Sequence, residues 1–361
     1  MNVTDVKRYA SVQRNGSIWL GNHTVCDGAS YGRKIGVFTH IHEDHICMFN
    51  DAMHNCSEIF MSKPTLDMLA ALEMNYKHDM DPSLYFKGRH VQALDFKKTI
   101  RPKLDKYESG SDYGDALTLY ESNHVLGSAQ VLIKTDDGTR VVYTGDFAAG
   151  TKPVTCDILV LDPTHGSPEF NTQVERNSLE NRLAELVEDA LCHNSGVVIY
   201  APRGRLQQTM HLLSDRLSDQ VKFLSSQKNI RLASVYQKYG YPSREIVDVE
   251  SVEADKIKEG NRPYISFKSG QHRAIEEIDK AVWENEVLFS IGGSKLESGT
   301  VIKSAKNGIY KMEFMDHADF NYIVDFVQEA NPKWVILDHT RSNQITELAK
   351  HLQDKEIAVI L

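Results

Sequence analysis

The chain has 361 residues, 41% of them hydrophobic and 25% charged, and a formal net charge of −9. That length fits two domains or one large one, and the composition is that of a soluble globular protein. No apolar run approaches the ~18 residues that a membrane span needs, and the acidic balance argues mildly against a nucleic-acid binder, since phosphate contacts want Lys and Arg.

The first 165 residues read as short strands closed by turns. "SIWLG" and "TVCDG" are β-rich runs ending in glycine, and "IGVFTH" and "EIFMS" are apolar runs of strand length. "SKPTLDMLAALEM" predicts a helix, with Ser62 as N-cap, Pro64 in the first turn, and Leu66, Leu69, Ala70 and Leu72 at roughly helical spacing. "ALTLYES" and "AQVLIKT" follow as strands, and the turn at Asp136-Asp137-Gly138 predicts a hairpin into "TRVVYTGD". "CDILVLD" is the next strand. After Asn171 the helix "SLENRLAELVEDALCH", the strand "GVVIYAP", the helix "LQQTMHLLSDRLS" and the strand "VKFLSS" alternate, as in a parallel α/β unit. Residues 228–275 are polar and carry no clear period. "NEVLFSIGG" is a strand with a glycine turn. The end of the chain reads as the helix "DFNYIVDFVQEAN", the strand "KWVILDH" and the helix "SNQITELAKHLQ".

Two further features set the setting. The opening "MNVTDVKRYA" has no signal-peptide core, and Cys26, Cys47, Cys56, Cys156 and Cys192 are scattered and odd in number, so a reduced, cytoplasmic protein is expected. Charge is uneven: residues 200–275 hold 13 Lys+Arg against 8 Asp+Glu, a net +5 inside a chain that is otherwise −14. Such a segment is either a binding face or an uneven surface.

"THIHEDHI", Thr39 to Ile46, puts three histidines and two acids at the end of an apolar strand. On an extended segment His40 and His42 point to one side, while Asp44 and His45 follow where the chain turns. Imidazole and carboxylate suit zinc and similar ions, and one ion takes about four ligands. Two sets at different angles therefore suggest two ions. His124, Asp146 and His339 each end a further apolar strand, in "ESNHVLG", "VVYTGDF" and "WVILDHT". Polar groups gathered at one sheet edge are how a metal site is built.

The order His40-x-His42-x-Asp44-His45, then His124 and Asp146, resembles the ligand order of the metallo-β-lactamase fold. "NHVLGSAQVLI", "VVYTGDF", "LVLDPTHGSP", "MDHADF" and "VILDHT" resemble the motifs of its nuclease branch, the β-CASP enzymes, along the whole chain. The wording is most similar to compact, ligase-associated DNA exonucleases, and next to RNA 3′-end-processing endonucleases. The resemblance implies an αββα sandwich with an inserted α/β domain, the first part spanning residues 1–185, the insert 186–296 and the last part 297–361. It implies two zinc ions, with manganese or magnesium as alternatives in one site. His40, His42 and His124 would hold one; Asp44, His45 and His339 the other; Asp146 both. Asp27, in "VCDGA", would orient the site from behind. Three departures stand out: Asp162-Pro-Thr replaces Glu-Ser-Thr, His165 replaces an aromatic residue, and Thr340 stands where glycine is usual.

The implied chemistry is hydrolysis of a phosphodiester. Asp44, His317 and Asp162 are the catalytic candidates, with His317 as general acid held protonated by Asp162. Arg203, Arg205, Lys268 and Arg273 would follow a nucleic-acid backbone, and Ser290, Ser294 and Lys295 would receive a terminal phosphate. Tyr85, Tyr236, Tyr239 and Tyr241 are candidates for stacking on bases. A DNA exonuclease is the leading expectation and an RNA endo- or exonuclease the alternative. A small-molecule hydrolase and a metal-free scaffold are further readings. DNA against RNA, mode of cleavage and oligomeric state stay open.

Overall fold

The structure, a computed structural model, describes residues 2–73, 86, 90–104, 112–171, 176–193, 196–260, 262–270, 286–292, 301–304, 309–340, 342 and 345–361. It divides into two units, residues 1–171 with 317–361, and residues 172–316.

The first unit opens with a short helix α1 (Val3–Tyr9) that leads into a six-stranded sheet. Its strands, in spatial order, are β1 (Ala10–Val12), β2 (Ile18–Leu20), β3 (Thr24–Cys26), β4 (Ile35–Val37), β5 (Glu58–Met61) and β6 (Val91–Ala93). The first three run antiparallel and β3 to β6 run parallel. Between β4 and β5 lie α2 (Glu43–Ile46) and α3 (Phe49–Asn55), and α4 (Lys63–Glu73) follows β5. The second sheet takes β7 (Thr99–Ile100), β8 (Ala116–Glu121), β9 (Ala129–Lys134), β10 (Arg140–Tyr143) and β11 (Ile158–Leu161). The hairpin expected at Asp136–Gly138 joins β9 to β10.

In the second unit strands and helices alternate: α5 (Arg176–His193), β12 (Gly196–Ala201), α6 (Arg205–Arg216), β13 (Lys222–Ser225), α7 (Gln227–Lys238), β14 (Ile246–Asp248), α8 (Val252–Glu259), β15 (Tyr264–Ser269), β16 (Glu286–Gly292), β17 (Val301–Ser304) and β18 (Ile309–Glu313). Their order is β14-β13-β15-β12-β16-β18-β17, parallel throughout except at β17. Leu179 and Leu183 of α5 share a core with Val197, Leu206 and Met312. The expected boundaries after 185 and 296 therefore shift: α5 starts the second unit, and β18 is held in its sheet by β16.

The chain returns to the first unit with α9 (Phe320–Ala330), β19 (Trp334–Leu337), α10 (Ile345–Asp354) and β20 (Ala358–Ile360). This completes the second sheet in the order β20-β19-β11-β10-β9-β8-β7. The period-two alternation of strand side chains builds the layers. On β11, Ile158 and Val160 enter the core between the sheets, beside Val37 and Val131. Leu159 and Leu161 point the other way, under Phe326 and Leu348 of α9 and α10. Phe49 of α3 and Leu69 of α4 cover the outer face of the first sheet through Ile59 and Met61. The result is the α/β metallo-β-lactamase-type layering, helix on sheet on sheet on helix. Among the described residues no helix is long and apolar enough to cross a membrane.

Candidate metal centre

Strand ends of both sheets of the first unit carry the polar residues. His40 and His42 lie between β4 and α2, and His45 is buried within α2. His124 follows β8, Asp146 follows β10 and Asp162 follows β11. Two sharp turns make this possible. Asn123 (φ 52°) and Gly145 (φ 55°) both take the left-handed conformation immediately before a site residue. Ser128 fastens the first turn, its Oγ accepting from the His124 N–H at 3.0 Å. Ser122 fastens the second, its hydroxyl donating to the Asp146 carbonyl at 2.8 Å.

Asp146 is the hub. Its Oδ1 lies 3.1 Å from His45 Nε2, and its Oδ2 lies 3.4 Å from His40 Nε2 and 3.5 Å from His124 Nε2. His42 Nδ1 is 3.1 Å from His124 Nε2. Ligand atoms of His40, His42, His124 and Asp146 all fall within 4.8 Å of one another. Asp44 joins the other side, with its Oδ2 3.3 Å from His45 Nε2. The fit to a divalent cation is visible in the buried nitrogens. Nε2 of His40 and Nε2 of His45 are buried without a well-formed hydrogen bond, a costly state for a polar atom unless an ion takes its lone pair. Their opposite nitrogens are both engaged. His40 Nδ1 meets Thr39 Oγ1 at 3.0 Å, and His45 Nδ1 meets Asp27 Oδ2 at 2.8 Å. A partner on Nδ1 fixes ring orientation and presents Nε2 as a donor to metal.

Asp27 organises this rear layer. Its Oδ1 accepts from the Thr39 N–H at 2.8 Å and its Oδ2 from the Thr39 hydroxyl at 2.7 Å. It does so from a left-handed backbone (φ 49°), which Asp tolerates better than most residues. Thr39 had no signal of its own in the sequence beyond its place before His40.

The second cluster is Asp146, Asp162 and His317. His317 Nδ1 is 2.9 Å from Asp162 Oδ2, and its Nε2 is 3.8 Å from Asp146 Oδ2. Burial opposes charge on the ring, but the Asp162 and Asp146 carboxylates outweigh it and lift the pKa to about 9. His124 goes the other way, pushed well below the usual histidine range by burial and by His317. The other oxygen of Asp162 accepts from the N–H and hydroxyl of Thr164 at 2.9 and 2.5 Å. The same Asp-x-Thr turn recurs on the neighbouring strand, where Asp338 accepts from Thr340 N–H and hydroxyl at 3.0 and 2.6 Å. Leu161 and Leu337 are in register, so the two turns lie side by side, and His339 belongs to the second of them. His339 is exposed and is not among the residues of the two clusters.

Of the expected backbone- and phosphate-contacting residues, the described ones, Arg203, Arg205, Lys268 and Ser290, lie in the second unit. Lys268 is exposed, with its ammonium 5.6 Å from the ring centre of Tyr200. Arg203 is half-buried. Arg205 is a correction: it is buried, paired with Asp316 and stacked over Phe314, so it holds α6 to its surroundings instead of facing solvent. Ser290 is likewise buried, on β16. Of the stacking candidates, Tyr236 is fully buried against His211, while Tyr241 is exposed. Arg273, Ser294, Lys295 and Tyr85 lie outside the described residues.

No family model matches the chain. An uncharacterized protein in the lig 3′ region of Acidianus ambivalens is 34% identical over 102 residues, 27% of this chain and 71% of that one. Cleavage and polyadenylation specificity factor subunit 3 of Dictyostelium discoideum is 22% identical over a 378-residue alignment, covering 88% of this chain and 47% of that one. DNA cross-link repair protein SNM1 of Arabidopsis thaliana is 22% identical over 331 residues, 86% of this chain and 61% of that one. The chain thus spans less than two thirds of the length of the latter two relatives. The crystal structure of a protein of unknown function from Enterococcus faecalis V583 superposes with a TM-score of 0.59 at 12% identity, over 92% of this chain and 81% of that one.

Proposed function

The chain belongs to the β-CASP branch of the metallo-β-lactamase fold, and from that premise we propose that it is a zinc-dependent nuclease hydrolysing phosphodiester bonds of nucleic acid in the cytoplasm. The observation that carries the proposal is the two-sided hub. One oxygen of Asp146 faces His45 and the other faces His40 and His124, the arrangement a carboxylate needs to bridge two ions. In this reading His40, His42 and His124 would hold one zinc, Asp44, His45 and His339 would hold the other, and Asp146 would serve both. Manganese or magnesium can replace zinc in one of the sites. The second unit, residues 172–316, is the β-CASP insert and carries substrate contacts.

When bound, the two ions supply Lewis-acid polarisation of the phosphodiester and acidify an attacking water toward a pKa of ~7. The chain's own residues do the rest. Asp27 and Thr39 keep His45 and His40 in the ring orientation that offers Nε2. Asp162 holds His317 through Nδ1 and keeps it charged at neutral pH, so that Nε2 can release a proton to the leaving oxygen.

The DNA reading is supported by relatives whose names refer to the lig 3′ region and to DNA cross-link repair. The RNA reading is supported by endoribonuclease YSH1 of Candida albicans, 23% identical over 76% of this chain. Digestion of 5′- and 3′-labelled single- and double-stranded DNA and RNA decides between them and reveals the mode of cleavage. Elemental analysis of the same sample should find close to two zinc ions, and substituting His40 or Asp146 by alanine should lower both metal content and activity. His317→Ala should keep its metals and lose roughly 10²–10⁴-fold in turnover on nucleic acid. It should lose much less on bis(p-nitrophenyl) phosphate, whose leaving group needs no proton. Cleavage of neither DNA nor RNA, or full metal retention in the His40 and Asp146 variants, would overturn the assignment.

A further inference from the structure

His317 is restrained by more than Asp162. A hydrogen bond at Nδ1 fixes one atom of an imidazole, but the last torsion of a histidine is soft, so the ring plane remains free to swing about that point. Two other rings limit the swing. His124 lies tilted against His317, with centroids 4.6 Å apart at 49°. His165 meets it edge to face, at 5.6 Å and 78°.

His165 is itself fixed. It is 2% exposed and stacks flat on Phe170, with centroids 4.9 Å apart and an interplanar angle of 20°. The loop that carries both rings is tied down along its length. Thr164 bonds back to Asp162, Ser342 Oγ donates to the Pro163 carbonyl at 3.1 Å, Ser167 Oγ donates to Glu347 at 2.5 Å, and Asn171 accepts from the Asn321 N–H at 3.0 Å. Asn321 lies four residues after His317, in the first turn of α9. The wall and the residue it faces therefore belong to one tied assembly.

From this geometry we infer that His165, backed by Phe170, is a positioning residue that sets the ring plane of His317 for proton transfer. The inference rests on the reading of His317 as the general acid. A ring of planar shape at residue 165 is what the contact requires, so a phenyl group should substitute for the imidazole, and a methyl group should not.

The test compares His165→Ala and His165→Phe with His317→Ala, using the labelled oligonucleotide the unmodified protein cleaves best, and bis(p-nitrophenyl) phosphate. His165→Ala should lower kcat on the oligonucleotide by about 10–100-fold, the scale of a small misplacement of a reacting group. Its KM and zinc content should stay within about twofold, and its loss on the nitrophenyl substrate should be less than about threefold. His165→Phe should recover most of kcat. Equal losses of His165→Ala on both substrates, or loss of zinc, would mean that the ring supports the fold or the metals. Undiminished kcat in His165→Ala, or no recovery in His165→Phe, would overturn the inference while leaving the acid role intact. If His317→Ala itself loses equally on both substrates, the acid role fails and the inference falls with it.

Discussion

If His45 is a metal ligand, as proposed, the charge on Asp27 decides which of the ring's nitrogens is offered to the ion. Both of its oxygens accept: Oδ1 from the Thr39 N–H, Oδ2 from the Thr39 hydroxyl and His45 Nδ1. An amide offers only one acceptor. In Asp27→Asn, whichever way the amide turns, its NH2 faces a donor. If it meets the Thr39 N–H, a buried hydrogen bond is lost at a cost of about 1–3 kcal/mol. If it meets His45 Nδ1, that ring takes the opposite tautomer and puts its proton on Nε2, where a ligand needs a lone pair. The expected outcome is a folded protein whose zinc content falls below that of the unmodified chain. An Asp27→Asn protein that keeps its full zinc content, and its stability in urea, would show that the carboxylate has no part in arranging the ligands.

At the scale of elements, the site depends on chain reversals as much as on ligand identity. Gly145 turns the chain from β10 to Asp146 at φ 55°, and a Cβ there would lie 2.9 Å from the Ala129 carbonyl and 3.1 Å from Thr39 Cβ. Gly145→Ala therefore combines a left-handed backbone with a clash against the Ala129 carbonyl and a tight contact with Thr39, costing about 2 kcal/mol or more. It should lower both the melting temperature and zinc content; a variant unchanged in both would mean that the turn adapts. Strands such as β11 were legible because every residue of Ile158–Leu161 is apolar, and the polar residues that cluster around Asp146 stood out because His124 and Asp146 closely follow such runs. The helix α7 was not. Its buried face includes Asn229, which donates to Ser225 Oγ at 3.1 Å and accepts from Ser269 Oγ at 2.7 Å, so a polar residue sits where a helical pattern calls for an apolar one. Arg205 was misread for the same kind of reason. Its partner Asp316 is 111 residues away, and one-dimensional charge counting cannot distinguish an internal pair from a solvated cation.

Across the whole molecule, charge is partitioned: a net +5 over residues 200–275 against −14 elsewhere. Not all of that excess is available to a polyanion. Arg205 is neutralised within its own unit by Asp316, whereas Lys268 is exposed beside the half-buried ring of Tyr200. The two cations should therefore respond differently to removal. If the second unit follows a nucleic-acid backbone, Lys268→Ala should weaken binding and reduce the slope of log affinity against log salt by about 1, the loss of one phosphate contact. Arg205→Ala should leave that slope unchanged and destabilise the second unit by about 1–3 kcal/mol, because it removes a buried guanidinium that is paired with Asp316 and packed over Phe314. Fluorescence anisotropy across a salt series, paired with urea unfolding of each variant, separates the two effects. A flattened slope in Arg205→Ala with unaltered unfolding would return that residue to the binding face. An unchanged slope in Lys268→Ala would remove Lys268 from it.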